Sequence, residues 1–522
     1  MQQINRKYLA CILFFLSILF FFRTIHYKPV WDDEQGHFTP SMMTAMDHDI
    51  ASFWNVQTGM YIPLTYSTWG LIKRVASANG FKPAPFHLLN VITHGINSVL
   101  LFYLLLILFK NNVSAFWGSI LFLIHPLQVE SVAWISEFRG LYAAFFCLLS
   151  LLFFFNYLEK KQPEKFSEII SSKGFILSFL FFMCALLAKS TVVILPFIII
   201  ILVWRFYNGK MKIVTKSILL WLIPIFIVSS LILVKGTQVG SIPILQRLVI
   251  AGYTIFFYLQ KLVVPYPLVA CYGYLPKVVA SNWFSYVALI ISIGIVYFII
   301  RKRKTFPDLF AAFLIVLVCI LPVLGLIPFE FQKYSTVADR YMYLSFIGIA
   351  LLMPTVVRRM QQNTFLKMCV GIILGIMAIL TIKQTATWKD EFTLWNHTLT
   401  YFDNSSRTYY NRGVQYSLKG NFPKSISDYS RAYELDSTNV NVLFNRANAY
   451  ENLKDFNAAL NDYNTALKIT PKDGELYYKR SNIYLIQMDL DKALDDVQRA
   501  EQYKYVVDQE YKQMLLNLKY SK

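Results

Sequence analysis

Between residues 8 and 382 the chain returns again and again to stretches that carry almost no charge, and these stretches limit what it can become. They cover residues 8–22, 86–109, 113–126, 141–158, 175–187, 192–203, 218–234, 283–300, 309–327, 341–357 and 368–382. Soluble domains rarely reach the chain's 56% hydrophobic and 16% aromatic content, so an integral membrane protein is expected. Several runs fall short of the ~20 residues that a straight span needs, and flanking residues or tilt must supply the rest. The first run follows Arg6 and Lys7, and Phe21-Phe22-Arg23 at its end offers no small-residue cleavage site. It is therefore expected to remain as an anchor. Five of the six cysteines lie inside apolar runs and Cys271 stands apart, which implies no disulfide framework.

Charge is distributed as topology requires. Through Lys383 there are 32 basic and 13 acidic residues, and the remainder has 18 of each, so the net +19 belongs entirely to the apolar part. Arg6-Lys7, Lys110, Lys160-Lys161, the segment 205–216, the segment 301–304 and Arg358-Arg359 fall on one side if each run crosses once. Positive loops favour the cytoplasm, giving about eleven helices, an N-terminus inside and a C-terminus outside. That pattern explains the basic excess without nucleic acid as a partner. Residues 246–264 are apolar enough to compete as a further span. Counting them would move 301–304 outside, so they are placed as an interfacial or re-entrant helix.

The opposite face collects the residues with chemistry. Asp32-Asp33-Glu34 follows the first span and holds three of the 13 scarce carboxylates side by side. Unpaired charge beside a bilayer is costly and is usually retained for function. Adjacent carboxylates repel, so one can gain proton affinity and act as a general base while its neighbour faces the scaffold. A polar strip runs from His125-Pro126 through Gln128, Glu130, Ser131, Trp134 and Glu137 to Arg139. Lys189 and Arg340 stand outside against the positive-inside bias, and an Arg fork assisted by Lys suits a phosphate. Glu34, Glu130, Lys261 and Tyr341 are candidates to line the same site. No Gly-rich nucleotide loop, nucleophile elbow or zinc spacing occurs, and His37 and His48 with Asp47 or Asp49 lack the spacing of a metal site. No metal and no organic cofactor are expected.

Past Thr385 the composition changes. Tyr410-Asn411-Arg412-Gly413, Phe444-Asn445-Arg446-Ala447 and Tyr478-Lys479-Arg480-Ser481 recur with a period of 34, as do Asp428, Asp462 and Asp496. That period, with small residues where paired helices approach, predicts three tetratricopeptide repeats over 406–507, a capping helix and tail at 508–522, and a linker at 384–405 before them.

Asp32-Asp33, Tyr61-Ile62-Pro63-Leu64-Thr65, Phe86-His87-Leu88-Leu89-Asn90, the strip from His125 to Ala133, Ala188-Lys189 and Asp339-Arg340-Tyr341-Met342-Tyr343-Leu344 follow one another in order. With the repeat tail, this set resembles the transmembrane O-mannosyltransferases with tetratricopeptide repeats and their bacterial relatives. The resemblance implies an all-α, GT-C type membrane bundle over 1–383. It also implies inverting transfer of a sugar, mannose foremost, from a polyprenyl-phosphate carrier to Ser or Thr hydroxyls of a polypeptide held by the repeats. Asp33 would be the base with Asp32 beside it, and Lys189, Arg340, Arg139 and His125 would meet the donor phosphate. The chain departs from the family pattern at Phe138, where a basic residue is usual, and in having three repeats. The brief tail points to a bacterial inner membrane with the repeats in the periplasm, the alternative being the endoplasmic reticulum with the repeats in the lumen. Transfer to a glycan or lipid, or a membrane scaffold without enzymatic activity, are the competing readings.

Overall fold

The computed structural model describes residues 5–55, 61–76, 81–161, 163–233 and 242–520; Val234, which ends the seventh apolar run, and Lys522 lie outside them. All regular structure among the described residues is helical. Six helices are long and apolar enough to cross a membrane: Arg6–His26, Pro83–Phe109, Ile135–Lys161, Asn208–Val228, Trp283–Arg301 and Thr364–Ala386. Four shorter apolar helices accompany them: Asn112–Ile124, Lys173–Ala188, Ser190–Phe206 and Pro307–Val323. Each covers one of the sequence's apolar runs, and the chain is a polytopic membrane protein. The run at 341–357 is the exception. It is built from a 3-10 turn at Asp339–Met342, a short helix Phe346–Ala350 and a helix Met353–Gln362 that starts with a proline in its first turn.

Helix Pro83–Phe109 is the bundle's centre, packed by Arg6–Phe21, Asn112–Ile124 and Phe138–Lys161. Lipid gives no hydrophobic drive to helix association, so small residues and buried hydrogen bonds decide the contacts. Gly95 lets Phe14 and Ser17 approach its backbone, and Ser17 donates to Val91 O at 3.1 Å. Asn97 Nδ2 donates to Leu141 O at 2.9 Å. Ser150 and Ser178 exchange hydroxyl-to-carbonyl bonds of 2.8 Å between helices Phe138–Lys161 and Lys173–Ala188.

Helix Ile244–Val263 runs beside the loop that leads to Arg340. Near its start Arg247 donates to Leu326 O at 3.2 Å, and near its end Tyr258 donates to Ala338 O at 3.1 Å. Its long side packs against helix Trp283–Arg301, where Ser292 donates to Gly252 O at 2.8 Å.

The chain divides into two compact units, residues 1–394 and 395–522. The stretch expected as a linker is mostly helical, since Thr364–Ala386 continues into it and Glu391–Tyr401 follows. In the second unit, helices Ser406–Leu418 and Phe422–Leu435, Val440–Asn452 and Phe456–Ile469, Gly474–Ile486 and Leu490–Gln502 pair in turn, and Gln509–Tyr520 packs on the last pair. The period-34 Arg and Asp positions are partners. Arg412 with Asp428, Arg446 with Asp462 and Arg480 with Asp496 each form two charge-assisted bonds of 2.7–2.8 Å. These forks tie the first helix of each repeat to its second, and the carboxylates are buried. Asp462→Asn keeps the shape but loses half of the central fork. It should lower the stability of the repeat unit by about 1.5–3 kcal/mol, the range for bonds to charged groups. Limited proteolysis of the intact protein would then cut within 395–522 sooner, and an unchanged cleavage rate would show the fork to be dispensable.

Candidate functional site

The loop after the first helix turns on Trp31, a non-glycine residue with φ of 62°. Large side chains rarely occupy that region, and such strain is retained where surrounding structure enforces it. Here Trp31 is stacked on Trp134 at 5.1 Å. The turn sends the two adjacent carboxylates in different directions. Asp33 is fully buried, and its Oδ1 accepts from the Ser136 N–H at 3.0 Å and from the Ser136 hydroxyl, while Oδ2 accepts from the Val30 N–H at 2.9 Å. Burial outweighs these bonds and pushes the carboxyl from its ordinary 3.8 up to about 7. Asp32 keeps 36% of its side chain exposed, with Oδ2 at 4.0 Å from His37 Nε2 and Oδ1 accepting no hydrogen bond. Asp33 joins the first loop to the polar strip, and Asp32 is the more exposed of the two carboxylates.

Other motifs of the outer loops clamp in the same way. Thr65 donates to Ala188 O at 3.1 Å, which fixes the residue before Lys189. Asn90 Nδ2 donates to Val132 O at 3.2 Å and Trp134 O at 2.8 Å, holding the strip over the central helix. Tyr258 also accepts from the Ala338 N–H at 3.1 Å, so one hydroxyl reads both backbone groups ahead of Asp339-Arg340.

These clamps converge on Glu137. Its carboxylate accepts two bonds from Lys189 Nζ, at 2.8 and 3.0 Å, and one from Arg139 Nε at 3.3 Å; Arg340 Nε lies at 3.6 Å. Arg340 also donates from its backbone to Glu130 Oε2 at 2.8 Å and from its guanidinium to Oε1. Its plane is enclosed by Phe331, Tyr341 and Trp134, with ring centres at 4.2, 5.0 and 5.2 Å. Gly140 makes room, because a Cβ there would collide with Glu137 Oε2 and stand 3.2 Å from Lys189 Nζ. Lys189, Arg340, Arg139, Glu130 and Tyr341 thus meet as the sequence suggested. Glu137 is their organiser, although the sequence reading left it as one residue of the strip.

Three candidates stand elsewhere. His125 spends both ring nitrogens on backbone, accepting from the Leu127 N–H at 3.2 Å and donating to Leu262 O at 3.3 Å, so it is a cap and no phosphate ligand. Lys261 donates to Pro267 O at 2.7 Å and lies over Phe257 and Tyr272, supporting the layer behind Asp339. Glu34 is exposed. His37 and Tyr66 were missed as a pair: His37 Nδ1 meets Tyr66 OH at 3.0 Å, and its Nε2 lies 3.5 Å from Arg139 NH1. Burial first, and Arg139 next, push His37 down to about 4, so it is neutral at physiological pH. His37 therefore stands between Asp32 and Arg139, its Nε2 4.0 Å from the one and 3.5 Å from the other. Among the described residues no group of three His, Cys, Asp or Glu side chains is placed to hold a metal ion.

A small cavity of about 50 Å³ opens beside the cluster. Lys189, Arg340, Tyr341 and Gly140 form its polar end, and Val192, Ile194, Cys319, Pro322, Val323 and Leu344 line the rest. Its walls come from apolar helices, so charge and lipid-like surface meet in one cleft.

A tetratricopeptide repeat family model matches residues 440–473. Protein O-mannosyl-transferase TMTC3 of Mus musculus is 21% identical over 463 residues, which are 79% of this chain and 48% of that protein. Protein O-mannosyl-transferase TMTC1 of Homo sapiens is 33% identical over 117 residues, 22% of this chain and 13% of that protein. The chain is similar to these proteins over the shares given. It spans about half the length of the mouse protein it matches. A solved structure of the APC/C hetero-tetramer Cut9–Hcn1 covers 88% of this chain and 89% of its own at 13% identity, with a TM-score of 0.22 that carries no argument.

The Asp33 clamp has a pH signature. Its folded value of about 7 lies above its unfolded one, so the folded protein keeps a proton that the unfolded chain has lost. Stability contributed here is full below about pH 4, falls as pH rises towards 7, and is level above. Asp33→Asn cannot titrate. Thermal unfolding midpoints of the purified protein from pH 5 to 8 should lose part of their decline in that variant, and an unaltered profile would rule out this carboxyl as the source.

Proposed function

We propose that this chain is a membrane glycosyltransferase that moves a sugar from a polyprenyl-phosphate carrier to a hydroxyl on the non-cytoplasmic face, with mannose and protein Ser or Thr as the favoured pair. The observation that carries the reading is the convergence of Lys189, Arg139 and Arg340 on Glu137, with Lys189 and Arg340 lining an adjoining, largely apolar cavity and Asp32 one histidine away. The cavity, about 50 Å³, offers its cations to a phosphate group, and its apolar walls must part to admit the prenyl chain. Similarity to proteins named O-mannosyl-transferases supports the chemistry.

In the reaction the acceptor hydroxyl oxygen attacks the anomeric carbon, and the bond from that carbon to the phosphate oxygen breaks. Asp32 takes the hydroxyl proton, and the polyprenyl phosphate departs with the bonding electrons. Attack opposite the leaving group inverts the anomeric centre. Preorganised cations at the departing phosphate supply the main electrostatic contribution, because they are fixed before charge develops. Asp33 holds the loop so that Asp32 is presented; it takes no proton from substrate. The repeats offer a polypeptide-binding surface, which favours a protein acceptor over a glycan or lipid. The proposed setting is a bacterial inner membrane with the repeats in the periplasm, the alternative being the endoplasmic reticulum membrane with the repeats in the lumen.

Two variants test this assignment. Asp32→Asn keeps size but cannot accept the proton, so transfer from polyprenyl-phosphate mannose to a Ser/Thr peptide should fall by about 10²–10⁴-fold with folding intact. Full activity in that variant would remove Asp32 as the base. Arg340→Lys keeps charge but loses the fork to Glu130 and the stacking between Phe331 and Trp134, so transfer should also fall steeply. Near wild-type rates would reduce Arg340 to a general positive charge.

A further inference from the structure

The cluster holds more negative charge than a phosphate site needs for binding alone. Lys189, Arg139 and Arg340 are three cations, and Glu137 and Glu130 are two carboxylates placed directly among them, both almost completely buried. The other ionisable groups facing the cluster do not alter this sum. His37 is neutral, Asp339 and Lys261 oppose each other behind Arg340, Tyr341 is a half-buried phenol whose pKa is raised by desolvation, and Asp32 stands beyond His37. A site built only to grip phosphate would leave such cations unpaired or pair them with neutral acceptors. Here one positive charge is left over.

That remainder has a natural counterpart in the proposed reaction, and the inference rests on that reading. A sugar joined through phosphate to a prenyl chain is a phosphodiester with a single negative charge. Once the sugar is gone the carrier is a phosphomonoester, whose second ionisation falls near pH 6 and gives it close to two charges at neutral pH. A bare tricationic site would bind this product more tightly than the donor and would be slow to empty. We infer that Glu137 and Glu130 match the site's charge to a phosphodiester monoanion and weaken its hold on the phosphomonoester left after transfer, so that the carboxylates set selectivity between donor and product. Glu137 suits this role, since it holds the Lys189 ammonium that the departing phosphate would otherwise keep. Glu137 touches no reacting atom. It is a positioning residue that acts through the cations, and Gly140 leaves it the space to do so.

The test uses the purified full-length protein with two probes, a polyprenyl monophosphate and the corresponding polyprenyl methyl phosphate, a diester. Binding of each is measured at about pH 5 and pH 7.5, on either side of the monoester's second ionisation. In the wild type the monoester-to-diester affinity ratio should change by less than ~3-fold between the two pH values. In Glu137→Gln the ratio at pH 7.5 should rise by at least ~10-fold in favour of the monoester, since one more unpaired positive charge lies within a few ångströms of the phosphate. At pH 5, where both probes carry one charge, that gain should largely vanish. Kinetically the variant should show stronger product inhibition and a lower kcat, with donor KM unchanged or lower. Glu130→Gln makes the same change in charge and should shift the ratio in the same direction. A wild-type ratio that rises tenfold with pH overturns the inference even if neither variant folds. A ratio unmoved in folded Glu137→Gln or Glu130→Gln overturns it as well. If neither probe binds the wild type, the glycosyltransferase reading itself has failed.

Discussion

The Glu137 carboxylate is where the outer loops of the membrane unit are joined. Arg139 opens the helix Phe138–Lys161, Lys189 sits in the turn after helix Lys173–Ala188, and Arg340 comes from the loop that replaces a straight tenth span. Three cations brought this close together out of water would repel one another and lose hydration. Removing one partner of a buried ion pair typically costs about 3–5 kcal/mol, so the carboxylate is a condition for the assembly and no added ornament. Every other clamp in the outer layer serves this point. Asp33 fixes Ser136 beside it, Asn90 fixes the carbonyl of Trp134 just before it, and Thr65 fixes Ala188 ahead of Lys189.

The surroundings raise the strength of these charges. Trp31, Trp134 and Trp388 stack in sequence, at 5.1 and 6.1 Å, and Phe331 with Tyr341 closes over the Arg340 guanidinium. Aromatic walls exclude water, and charge acts over longer range where water is excluded. The cost is that each charge must have a partner, which is why acidic residues occur in an otherwise acid-poor unit. The cluster is therefore one electrostatic unit, and substitution at any member should be felt by the others.

Much of this was legible in the chain. Apolar runs announced the helices because lipid tolerates few alternatives, and ten of the eleven coincide with an apolar helix. The 34-residue period announced the repeats because each pair needs the same Arg–Asp fork and the same small residue at the crossing. The meeting of Lys189, Arg340 and Arg139 was suggested by their position on one face. Roles within the site were harder to read. Which of two adjacent aspartates faces inward depends on the φ of Trp31, and nothing in a Trp-Asp-Asp string reports a left-handed residue. His125 was expected at the donor phosphate from the resemblance, whereas both of its nitrogens are taken by backbone. Glu137 was hidden because an acid suggests repulsion of phosphate, and only the geometry reveals that it organises the cations. The segment 341–357 looked like a span by composition, but Arg340 needs a turn there to reach Glu130.

The central claim is that one phosphate of a lipid carrier lies at the polar end of the cleft, against Lys189 and Arg340. The most direct measurement is an electron cryomicroscopy map of the full chain in lipid nanodiscs with a polyprenyl monophosphate bound. The account places the phosphate density within hydrogen-bonding distance of Lys189 Nζ and the Arg340 guanidinium, with the prenyl chain running along Ile194, Pro322 and Val323. Phosphate density at any other part of the membrane unit, with Glu137 still fully engaged by all three cations, would contradict it.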